Sequence, residues 1–87
     1  MANSKSALKR ARQNEKRRDH NRAARSRMRT AVKKLRTAVE AGEKATASEL
    51  LPATVRLVNA TARKGIIHDN TAARTTSRLT RAVAKLA

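Results

Sequence analysis

Between Ala2 and Ala23 the one large apolar residue is Leu8; from there to the end, apolar positions recur at helical spacing. Ala24, Met28, Ala31, Leu35 and Ala38, with Val32 and Val39 beside them, step by threes and fours and make one stripe on a 3.6-residue helix. No Gly or Pro occurs before Gly42, and the residues there are mostly good helix formers. The pattern predicts one long first helix, starting near Asn3 to Ser6, whose side chains suit an N-cap. Its first half has nothing to bury, so it is expected to project from the domain and to fray until its charge is neutralised.

Gly42 ends this stripe as a C-cap, and "TASE", Thr46 to Glu49, fits a capping box that opens a second helix. Leu51, Val55, Val58 and Ala62 supply its apolar face. Pro52 interrupts that face; because the period runs through it, a bent helix is favoured over a start at Pro52. A third helix follows from Ala72, Thr76, Leu79, Val83 and Leu86, with Arg74, Arg78, Arg81 and Lys85 on another side. Three amphipathic helices with two short connections predict an all-α fold, an antiparallel three-helix bundle with a long, protruding basic N-terminal helix. The chain is read as a single domain, 1–87, in which 1–23 is a basic extension and 24–87 the bundle.

The second connection lies in "RKGIIHDNTAAR", Arg63 to Arg74, and it reads as a corner. Gly65 can take the left-handed conformation that closes helix two, with Ile66 packing back near Thr61. Ile67 can staple against Ala72, and His68, Asp69 or Asn70 can cap helix three. Asp69 also suits the positive end of the helix dipole.

Charge then changes the picture. Lys and Arg number 22 against 6 acidic residues in 87, a formal +16. Residues 1–36 hold 14 of those cations against Glu15 and Asp19, so the N-terminal part is the main electrostatic element. Such density attracts polyanions, and nucleic acid is the leading partner. Aromatic residues are absent, which argues against a membrane-lying helix and against modules that stack single-stranded bases. No stretch approaches a membrane span or an apolar signal core, so a cytoplasmic location is expected. Absence of cysteine removes zinc fingers, thiol chemistry and disulfides.

Candidate chemistry is thin. His68 and Asp69 are sequence neighbours whose side chains diverge by about 100° on a helix, which does not suit a catalytic relay. No phosphate loop, carboxylate pair or set of metal ligands is present, so no enzyme, metal, cofactor or small-molecule substrate is expected. "NRAARSRMR", Asn21 to Arg29, looks like a zipper protein's basic region, but Ala23 and Ala24 fall one register early, and Gly42 stops the heptads. A helix-turn-helix centred on the corner leaves the charge of helix one unexplained. A nucleoid-type protein that binds any duplex remains the alternative.

The basic run is more than a solvated face. Arg18, Arg22, Arg25 and Arg29 stand at i,i+3 and i,i+4 spacing, where like charges destabilise a helix by a few tenths of a kcal/mol per pair. A phosphate backbone reverses that sign. Charge of this kind supplies affinity and position, not base readout.

"MANSKSALKRARQNEKRR", "RSRMRTAVKKL", "AGEK" and "KGIIHDNTAARTTSRLTRAVAKLA" together resemble bacterial small-subunit ribosomal protein twenty over the whole chain, most specifically in the "KGIIH-N-AAR" block. The resemblance implies a structural constituent of the small ribosomal subunit. It also implies direct binding to 16S ribosomal RNA early in assembly, against the 5′ domain and near the long stem of the 3′ minor domain. The RNA-facing candidates it carries over are Lys5, Lys9, Arg10, Arg12, Lys16, Arg17, Arg18, Asn21, Arg25 and Arg29, followed by His68, Asn70, Arg74 and Arg78. Departures are Pro52 and Asp69, the latter where the family often has a basic residue.

Overall fold

A computed structural model describes residues 2–86, with side chains from Lys5 onward; Met1 and Ala87 lie outside it. The described residues form three α-helices and no strand: α1 (Ala2–Glu40), α2 (Lys44–Arg63) and α3 (Asp69–Ala84). α1 begins upstream of the expected cap, so Ser6 lies within it; the side chains of Asn3 and Ser4 fall outside the described residues. At 1.5 Å per residue α1 alone is about 58 Å long. It accounts for most of the molecule's 67 Å dimension, against 20 and 15 Å across.

The core lies where the apolar stripe predicts it. Leu35 and Val58 are fully buried, Leu79 is 2 % exposed, and Val32, Ala38, Ala47, Ala72 and Val83 close around them. Met28, Val39, Leu50, Leu51, Ile67 and Leu86 seal its edges. α2 packs against both other helices, whereas α1 and α3 touch each other far less. Every described residue from Lys5 to His20 is exposed, and the first buried position is Ala24.

Both connections use a left-handed glycine. Gly42 has φ +73°, and the amides of Gly42 and Glu43 donate to the carbonyls of Val39 and Ala38, both at 3.0 Å. Gly65 has φ +76°, with Gly65 donating to Ala62 (2.9 Å) and Ile66 to Thr61 (3.1 Å). Each pair of bonds is a Schellman closure, which satisfies carbonyls that a helix end otherwise leaves open.

Two sequence expectations for α2 are corrected. The helix opens at Lys44, capped only by the backbone of Glu43, and Thr46 sits exposed inside the first turn instead of capping. The earlier start buries Ala47 completely and brings Leu50 to the core edge, which outweighs a cap worth about 1 kcal/mol. The buried face also carries Thr54 and Thr61, each 3 % exposed, where Val55 was expected and is only half-buried. Their hydroxyls donate to the carbonyls of Leu50 (2.8 Å) and Leu57 (2.7 Å), so each threonine presents its methyl to the core without an unpaired polar group. Pro52 lies on the exposed side within a continuous helix, so α2 passes through it and does not start there.

Candidate nucleic-acid interface

Three surfaces carry the candidate residues. Lys5, Lys9, Arg10, Arg12, Lys16, Arg17 and Arg18 all project from the freely exposed part of α1. They surround the helix, because their numbering spreads around the 3.6-residue turn and no part of the bundle covers this length. Leu8, 62 % exposed, is the one exposed large hydrophobic residue among those described.

The second surface is the α2–α3 corner, tied to the root of that arm. Arg25 donates from Nη2 to the carbonyl of Ile66 through a long hydrogen bond, 3.4 Å. Asn21, one turn earlier, is half-buried. Ile66 is 8 % exposed, packed back on the end of α2, and Ile67 joins the core edge with Ala72, as the staple requires. Of the three possible caps, His68 is the one used: its Nδ1 accepts from the amide of Asn70 at 3.0 Å. A neutral imidazole that accepts at Nδ1 carries its proton on Nε2, so a partner would meet a donor there. Asp69 occupies the first turn of α3, where its charge complements the dipole.

The third surface is the groove between α1 and α3. Arg29 lines it with Met28, Val32, Lys33 and Arg36, opposite Thr75. Further along the same seam, Arg78, Arg81 and Lys85 stand around Val39, Ala82 and Leu86. Arg74 is exposed on α3. Thus the fold joins Arg25 to the corner that carries His68 and Asn70, and sets Arg29 and Arg78 along one seam. Lys5 to Arg18 remain a separate, extended group.

Four cations on the seam were outside the expected set: Lys33, Arg36, Arg81 and Lys85. Their signal was in the sequence. Lys33 and Arg36 continue the three-and-four spacing of Arg18, Arg22, Arg25 and Arg29, but they sit among core residues that drew attention to packing instead.

Among the described residues no cluster of His, Asp or Glu could hold a metal ion, and no helix is long and apolar enough to cross a membrane. What the surfaces offer is cationic, extended and open. Hydroxyls, amides and guanidinium groups are available for anions.

Comparison with known proteins agrees with this geometry. The sequence model of the family described as Ribosomal protein S20 matches residues 2–84. The chain is 54% identical over 86 residues to the small ribosomal subunit protein bS20 of Colwellia psychrerythraea, covering 99% of this chain and 100% of that protein. It is 51% identical over 86 residues to the protein of the same name from Mycolicibacterium smegmatis, with the same coverage, and 48% identical over 83 residues to that of Syntrophobacter fumaroxidans, covering 95% and 96%. With an arm that serves no core and a family match over nearly its whole length, the chain belongs to the ribosomal protein S20 family, structural proteins of the small ribosomal subunit and not enzymes.

Proposed function

We propose that this chain, located in the cytoplasm within the ribosome, binds 16S ribosomal RNA directly and stabilises its folding during assembly. The bundle, 24–87, acts as a base, and 1–23 is the extension that follows RNA phosphates. The observation that carries this reading is the run from Lys5 to His20, in which seven cations face solvent on a helix with no packing role. Isolated, that arrangement is self-repulsive; beside crowded phosphates it is stabilising, and binding releases counterions from the RNA. The 5′ domain and the neighbouring 3′ minor domain are the RNA regions we assign to it, as the family resemblance implies; one base and one long arm suit holding two RNA segments together without turnover. Residues in contact are Lys5, Lys9, Arg10, Arg12, Lys16, Arg17, Arg18, Asn21, Arg25 and Arg29, with His68, Asn70, Arg74 and Arg78.

The test is competition at near-physiological salt between labelled 5′-domain fragments of 16S ribosomal RNA and bulk duplex DNA. Preference for the fragments is expected. Equal affinity for both overturns the reading in favour of a nucleoid-type DNA-binding protein.

A further inference from the structure

The grooves between the helices differ in one respect that packing does not explain. The α1–α2 groove includes Glu43 beside Lys33 and Lys34, and the α2–α3 groove includes Asp69 beside Arg63. Among the described residues the two grooves on the α1–α3 seam are lined by no carboxylate; one is lined by Arg29, Lys33 and Arg36, the other by Arg78, Arg81 and Lys85. All six side chains are exposed. On each helix they recur at i,i+3 and i,i+4, spacing at which like charges oppose helix formation. Folding alone therefore gives no reason for the arrangement, while an anion along the seam does. The seam is also the line where two helices approach least closely, so the cations flank a furrow floored by Met28, Val32, Val39 and Leu86. Low-dielectric walls of this kind focus a positive potential.

We propose that the α1–α3 seam is a phosphate-binding surface distinct from the arm, preformed by the bundle core, and that its occupant is the sugar–phosphate backbone of a duplex RNA segment. The cations from Arg29 to Arg36 on α1 and from Arg78 to Lys85 on α3 each span about 10 Å at 1.5 Å per residue, room for successive phosphates of one strand. No aromatic residue is present to stack an unpaired base, which favours a duplex backbone over single-stranded RNA. This rests on the RNA-binding reading above and extends it. The arm projects free of the core, whereas the seam presents its charges on helices already held by Leu35 and Leu79.

The experiment compares full-length protein with the seam variant Arg78→Gln/Arg81→Gln/Lys85→Gln and with an arm variant, Lys9→Gln/Arg12→Gln/Lys16→Gln, on the same 5′-domain RNA. For the seam variant, the slope of log affinity against log salt should become shallower by about two to three units, the loss of about three phosphate contacts. Hydroxyl-radical protection should disappear at nucleotides other than those lost with the arm variant. Circular dichroism checks folding; should the α3 variant fail to fold, Arg29→Gln/Lys33→Gln/Arg36→Gln on the facing helix gives the same reading. A wild-type slope and footprint in the folded seam variant overturn the proposal. A lost slope in a protein that shows no preference for ribosomal RNA over DNA instead overturns the ribosomal reading while leaving the seam as a phosphate site.

Discussion

At Gly65, conformation and space give separate answers. A Cβ built there meets nothing within 4 Å, yet φ is +76°. Gly65→Ala should therefore lower stability by about 1 to 2 kcal/mol through backbone strain alone, and Gly65→Asn by less, as thermal melts would show. Thr76 presents the opposite case. Its Oγ1 is buried without a hydrogen-bond partner among the described residues, while Thr54 and Thr61 satisfy theirs on their own helix. Replacing Thr76 by Val should raise stability by about 1 kcal/mol, since an unpaired buried hydroxyl is exchanged for a methyl of the same shape. The same change at Thr54 or Thr61 should do much less. A Thr76→Val protein that melts no higher than its parent would show that the hydroxyl is satisfied in solution.

Among the elements, α1 is one helix with two energetic regimes. Leu35 has no exposed surface and Leu79 has 2 %, so truncating either to Ala should cost about 2 to 5 kcal/mol, enough to unfold a domain with so small a core. Nothing between Lys5 and His20 has a comparable anchor. In hydrogen exchange on the free protein, amides of Leu8 to Arg22 should exchange much faster than those of Met28 to Val39; equal protection would show that the arm is held without RNA. Periodicity exposed the three helices, the stripe from Ala24 to Val39 and the α3 face, because these positions are apolar and evenly spaced. It misplaced the opening of α2, because "TASE" satisfies the local chemistry of a cap while Ala47 and Leu50 are drawn in by tertiary burial. It passed over Thr54 and used Thr61 only to place Ile66, because threonine was read as polar in α2 while a helix lets it hide the hydroxyl. The corner was legible down to its glycine, but choosing His68 over Asp69 and Asn70 as the cap needed backbone geometry. The spacing of the seam cations was legible, but their meeting was not: only packing shows that Lys33 and Arg36 lie along the same seam as Arg78, Arg81 and Lys85.

On the scale of the whole molecule, shape and charge work together. The radius of gyration is 17.7 Å, where a compact chain of this length would have about 12 Å. A sphere of the same charge would concentrate its repulsion; the extended arm spreads it and multiplies the phosphates within reach. If roughly six to ten phosphates are neutralised, affinity for ribosomal RNA should fall about 10³ to 10⁵-fold between 50 and 200 mM salt, measurable by filter binding. A weak salt dependence would mean that most of the +16 charge never meets the RNA.

Arg25 and the carbonyl of Ile66 meet at the root of a long lever. Lys5 lies twenty residues away, about 30 Å along the helix axis, so a swing of about 5° at the root would carry the tip through roughly 3 Å, a full hydrogen-bond length. Holding that angle is a matter of aim, not adhesion: the less play at the root, the fewer the phosphates that the far end of the arm can reach.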